Sequence, residues 1–204
     1  MPVLILGLIY SGAVTPTEAA AVAVIYALAV SLIRKTIRWK NLLPVLTGST
    51  KTTTMVFMMI IGSVIIGGWA SMLQFTDALC SVVAGAALPK WFVIVILMAF
   101  LVVLGTYLEP VAITFLFVPI VAPLLTSMGF DLVWFAVLLT INMEMAIISP
   151  PVGTNLNVVQ QISGVSYIDV GRGIMPFIII MALSLILFGL VPQLSLWLPG
   201  TMSR

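Results

Sequence analysis

The sequence predicts an all-α integral membrane protein, a multi-span helical bundle with re-entrant or broken helices. Composition gives the first reason. Of 204 residues, 62% are hydrophobic and 7% charged, against about 25% charged in a soluble domain. Such a chain cannot cover itself with a polar surface. Patterning gives the second: apolar runs follow one another along the whole chain, but most fall short of the roughly 20 residues a span requires. The third reason is what interrupts them. Gly105-Thr106-Tyr107-Leu108-Glu109-Pro110 and Ser149-Pro150-Pro151-Val152-Gly153-Thr154-Asn155 both lie inside apolar sequence. Proline removes a backbone donor and clashes with the preceding turn, so each stretch breaks a helix. In hydrocarbon, bare backbone survives only against protein or a wet cavity.

The chain opens on Pro2 to Tyr10, which reads as the end of a longer apolar element, as though a spanning segment had been cut. No basic n-region or small-residue cleavage site marks a signal peptide. Thr15-Pro16-Thr17-Glu18 is a helix start: Thr15 caps, Pro16 suits the first helical position, and Glu18 can reach back as a capping box. That cap is the favoured role of Glu18 over an ion ligand. The helix runs to Ile33. Arg34, Lys35, Arg38 and Lys40 form a basic cluster that belongs on the cytoplasmic side, with Trp39 at headgroup level. Residues 34–54 read as a cytoplasmic loop and an interfacial arm, with Asn41 to Thr54 forming an interfacial helix or a connecting arm.

Residues 55–204 read as the transport-type region. Met55 to Gly68 is an apolar piece of about 14 residues, too short for a span, with Gly67-Gly68 as its expected end. Leu73 to Leu88 follows. Together they suggest a re-entrant hairpin, with a single kinked span as the rival. Trp91 to Leu104 leads into the break at 105–110. Val111 to Leu125 contains Pro119 and Pro123, the first read as a mere kink. Gly129-Phe130-Asp131 is a turn, and Val133 to Ile148 leads into the break at 149–155. Leu156 to Ile162 restarts the helix, with Thr154 and Asn155 as caps. Ser163 to Gly173 is expected to be a polar loop, and Ile174 to Leu198 the one run long enough to cross comfortably, with Trp197 at an interface.

Several chemistries are excluded. Without histidine there is no histidine relay, histidine metal site or Ser-His-Asp triad. A lone cysteine, Cys80, supports neither a disulfide framework nor a thiolate cluster. No nucleophile–base pair suggests an enzyme, and no Gly-rich loop suggests ATP. A net charge of +2 is too small to suggest nucleic acid.

What remains is the chemistry of the breaks. A helix that ends leaves carbonyl oxygens without partners and carries partial negative charge, which suits a hard cation such as sodium. A helix that restarts offers free amides and partial positive charge, which suits a carboxylate. Gly105, Thr106, Glu109, Pro110, Ser149, Pro150, Pro151, Gly153, Thr154 and Asn155 are therefore the candidate ion and substrate residues. Glu109 and Glu144 lie deepest in apolar sequence, where a charge costs about 2.5–3.5 kcal/mol and normally faces a cavity or a partner. Asn142 and Glu144 are candidate supports, with an interhelical hydrogen bond as the alternative role for Glu144. No further metal site or cofactor is expected.

Thr15-Pro16-Thr17-Glu18-Ala19-Ala20-Ala21, Gly105 to Pro110, Pro119-Ile120-Val121-Ala122-Pro123, Asn142-Met143-Glu144 and Pro150 to Leu156 occur in that order. This ordered set resembles the large membrane subunit of the tripartite ATP-independent periplasmic (TRAP) transporters, in its C-terminal half. The resemblance covers nearly all of residues 1–204 as one transmembrane domain. It implies an elevator-type secondary transporter in the bacterial inner membrane, driven by sodium as coupling ion and importing organic acids such as C4-dicarboxylates or sialic acid. It further implies a periplasmic binding protein that delivers substrate and a small membrane subunit that braces the large one within the bilayer. The family commonly has threonine where Ser149 stands. Its N-terminal half, carrying the inverted repeat, has no counterpart here, so the chain alone is not expected to transport. Two alternatives are another ion-coupled carboxylate transporter and a non-transporting scaffold subunit.

Overall fold

A computed structural model describes residues 1–35, 39–86, 88–150 and 153–201, without the side chains of Trp39, Lys40, Asn41, Ala84 and Thr154. The expectations placed on Arg38, on the Trp39 and Lys40 side chains, on Pro151 and on the Thr154 side chain lie outside the described residues. Among those residues the chain is helical throughout, with ten α-helices and no strand. Four are long and apolar enough to cross a membrane: Pro16–Ile33, Leu42–Met72, Pro110–Ser127 and Tyr167–Leu190. Ile174 to Leu198 is thus not the one spanning run.

The chain divides into two compact units, Met1–Met55 with Trp197–Arg204, and Val56–Leu196. In the first, α1 (Pro2–Tyr10) packs on α2 (Pro16–Ile33). The capping box forms as expected: the Glu18 amide donates to Thr15 Oγ1 and the Thr15 amide donates to Glu18 Oε2 at 2.8 Å. The Tyr10 hydroxyl meets Thr201 Oγ1 at 2.8 Å.

Asn41 to Thr54 is helical, one of the two forms expected for it, but it does not stop before the apolar piece at 55–68: both belong to one helix, α3 (Trp39–Met72), and the unit boundary falls within it. Gly67-Gly68 do not end it. An interior glycine costs only about 1 kcal/mol relative to alanine, and apolar surroundings offer the freed backbone no water as a substitute partner. The helix turns at Leu73–Gln74, where Gln74 takes φ 52°, and α4 (Phe75–Gly85) follows.

The second unit is built on α5 (Lys90–Gly105), α6 (Pro110–Ser127), α7 (Leu132–Ile147), α8 (Thr154–Ser163) and α9 (Tyr167–Leu190), and its boundary at Leu196 falls within α10 (Gln193–Thr201). Its core is Ile94, Met98, Leu101, Ile113, Leu125, Trp134 and Leu138 with their neighbours. α5 and α6 form a hairpin, closed at its far end by the Lys90 ammonium donating to the Met128 carbonyl at 2.6 Å. Trp91, Phe130 and Trp134 cluster at that end, with ring centroids 5.2–5.8 Å apart. The Trp134 indole donates to the Phe188 carbonyl at 2.9 Å and ties α7 to α9. Pro119 and Pro123 lie inside α6 without breaking it. Residues 167–173, expected as loop, are the first turns of α9: Ser166 caps, accepting from the Asp169 amide.

Candidate functional site

α5 ends where expected. Gly105 is its last residue, Thr106 and Tyr107 turn, and α6 restarts at Pro110 with Glu109 as its N-cap. Pro110 suits that first helical position because its missing amide is one no helical carbonyl would accept. α7 likewise ends at Ile147, just before Ser149 and Pro150, and α8 starts at Thr154.

The helices that lead into the two breaks touch near their ends. A Cβ built on Gly105 lies 2.6 Å from Ala146 Cβ, so only glycine lets α5 come this close to α7. The two helices run side by side: Trp91 touches Trp134 at one end, and Gly105 touches Ala146 at the other. Their C-termini therefore lie together, each with a partial negative charge of roughly half an electron. Asn142 fixes the pairing. It is fully buried and its amide donates to the Met98 carbonyl of α5 at 3.1 Å. The interhelical hydrogen bond considered for Glu144 is thus made by Asn142.

The hydroxyls at the two helix ends are oriented alike. Thr106 Oγ1 donates to the Val103 carbonyl at 2.7 Å, and Ser149 Oγ donates to the Met145 carbonyl at 2.6 Å. Each has spent its single hydrogen on its own helix, so what it presents outward is lone pairs. That is a ligand for a cation.

Gly153 takes φ 33° and ψ 85° and is the N-cap of α8. Thr154 and Asn155 are therefore the first helical residues rather than caps. Glycine as N-cap has no side chain to bond the opening amides of α8, and the Leu156 amide donates back to the Gly153 carbonyl at 2.8 Å; a helix start of this kind suits an anion. Gly153 is buried, and a Cβ there would meet the Ser149 carbonyl oxygen at 3.0 Å and Leu156 Cδ1 at 2.8 Å. The backbone thus turns back over the end of α7. α9 flanks the break, with a Cβ on Gly171 within 3.9 Å of Pro150.

Glu109 and Asn155 are exposed, and Glu109 makes no side-chain cap bond. Glu144 is also exposed, on the face of α7 opposite Asn142, and lines a cleft with Pro110, Thr114 and Thr140. Sequence reasoning missed Gly105 as a contact point with Ala146 and Asn142 as the clasp between α5 and α7. A buried asparagine in apolar sequence was the available signal for the second.

Residues 1–194 match the family described as Tripartite ATP-independent periplasmic transporter, DctM component. A C4-dicarboxylate TRAP transporter large permease protein of Pseudomonas aeruginosa is 34% identical over 199 residues, covering 97% of this chain and 47% of the relative. A sialic acid TRAP transporter large permease protein of Vibrio cholerae is 31% identical over 199 residues, covering 97% and 47%. A 2,3-diketo-L-gulonate TRAP transporter large permease protein of Escherichia coli is 32% identical over 200 residues, covering 95% and 46%. The chain spans about half the length of the curated relatives it matches.

Proposed function

This chain belongs to the tripartite ATP-independent periplasmic transporters, DctM component, and we propose that it forms the C-terminal half of a sodium-coupled permease for organic acids. It is a multi-pass inner-membrane protein and a transporter component, not an enzyme. The observation that carries the proposal is the contact of Gly105 with Ala146, which joins the two helix ends at one place.

In this reading sodium is held beside Thr106 and Ser149 by hydroxyl lone pairs and by carbonyls at the ends of α5 and α7. The negative helix ends favour the ion. Once sodium is bound, its charge offsets the repulsion those ends exert on a carboxylate. The opening amides of α6 and α8 then bind the substrate anion. Coupling follows, because the anion finds a favourable site only when the cation is present. In this reading Glu109, Pro110, Pro150 and Asn155 belong to the same place. The substrate is a carboxylate of the kind named for the relatives, a C4-dicarboxylate or a sialic-acid-like acid. A periplasmic binding protein delivers it and a small membrane subunit braces the permease. In this reading Arg34 and Lys35, which follow α2, lie on the cytoplasmic side, and residues 55–204 contain the region that moves in an elevator-type cycle.

The test is uptake into proteoliposomes by the full transporter with its binding protein. An imposed sodium gradient should drive accumulation of the organic acid, and collapsing that gradient should stop it. Accumulation that ignores sodium overturns the proposal.

A further inference from the structure

Asn142 keeps one atom without a partner. Its amide nitrogen donates to the Met98 carbonyl at 3.1 Å. That bond fixes the orientation of the carboxamide, because a carbonyl accepts from the nitrogen and not from the oxygen. The carboxamide oxygen, Oδ1, is then buried with no hydrogen-bond partner among the described residues. A buried acceptor left unmet is costly, and more so in apolar surroundings.

Asn142 also lines a cavity of about 360 Å³ between α5, α7 and α9. The walls are Met98 and Val102 of α5, Leu138 and Met145 of α7, and Leu185 and Ile186 of α9. Apart from Asn142 and the indole of Trp91, every residue lining it is apolar. Three occupants fit poorly. One turn of helix, about 10 Å across with a pitch of 5.4 Å, takes roughly 420 Å³, more than the cavity holds. A buried water needs about two to four polar partners and would find Asn142 alone. An acyl chain has no donor to offer Oδ1. What suits the cavity is a small apolar body with a single donor. A cavity of about 150 Å³ holds one benzene ring, so this one has room for two. Trp91, Met98 and Met145 favour rings, by edge contact and through sulfur.

We propose that the cavity between α5, α7 and α9 binds a membrane-soluble, two-ring aromatic alcohol whose hydroxyl donates to Asn142 Oδ1. Such a molecule ties α9 to the α5–α7 pair. The inference stands on Asn142 and these three helices and does not depend on sodium coupling.

The experiment uses the full transporter in proteoliposomes, with radiolabelled para-phenylphenol as the probe. Concentrations are counted per lipid, so that partitioning into the bilayer cancels. Binding should saturate at a single molecule per transporter. Biphenyl has the same rings and no hydroxyl, and should compete about tenfold less well, the worth of one met hydrogen bond. Asn142→Leu should erase that preference. Ala182→Leu, which fills the cavity from α9, should remove the site at normal membrane abundance. If Asn142→Leu does not accumulate, Ala182→Leu decides. Equal competition by biphenyl would mean a crevice that any apolar molecule fills, and would overturn the proposal. So would binding unchanged in Ala182→Leu, or no saturable binding at all, the result expected if the assembled transporter covers the cavity.

Discussion

Alanine at Gly153 strains the second break in two separable ways. Gly153 has φ 33°, a left-handed setting, which costs an ordinary residue roughly 1–2 kcal/mol. The added methyl also meets Leu156 at 2.8 Å and the Ser149 carbonyl at 3.0 Å. Leu156 is buried, at 1% exposure, so its side chain has little room to yield. Overpacking of this kind costs about 1–3 kcal/mol. Opening the break relieves both strains, and under the proposed function the opened form is the one that cannot hold the ion. If about 2 kcal/mol falls on that equilibrium, apparent affinity drops about thirtyfold, since each 1.4 kcal/mol is a factor of ten. The assay is sodium- and substrate-dependent uptake by the full transporter in proteoliposomes, normalised to the amount inserted. Gly153→Ala should insert normally and lose sodium or substrate affinity, and Gly153→Val should lose more. Wild-type affinities in Gly153→Ala would refute the tight-turn account of the break.

The contact at Gly105 makes a second prediction. Gly105→Ala should force α5 off Ala146 and weaken sodium-dependent binding at least tenfold, and adding Ala146→Gly should restore most of it; absence of rescue would mean the contact does not set the site. The basic cluster predicts topology: in Lys35→Cys, an impermeant thiol reagent should label the cysteine only after permeabilisation, and labelling of intact cells would invert the orientation.

Local chemistry was legible in the sequence where a residue type permits little else. The capping box of Thr15 and Glu18, the helix ends at Gly105 and before Pro150, and the left-handed Gly153 all follow from what proline, glycine and capping side chains can do. Gly67-Gly68 misled because glycine is a weak breaker where no water competes for the backbone. The start of α9 was signalled by Ser166 and Asp169, but its polar first turns read as loop. The contact between the ends of α5 and α7 was not legible. It depends on α5 and α7 packing in register, through Gly105 on Ala146 and Asn142 on Met98. Nothing local to either break encodes that. The facing of Glu144 was hidden for the same reason: the burial of Asn142 against α5 decides it.

In the proposed function the ends of α5 and α7 build a single cation site. Calorimetric sodium binding to the purified full transporter tests it through Thr106→Val, Ser149→Ala and the double variant. Residues that share one ligand are coupled, whereas independent sites add within about 0.3–0.5 kcal/mol. The account predicts that each single change weakens the same binding event and that the double falls well short of their sum. Additive losses, or losses in two distinct binding events, would contradict it.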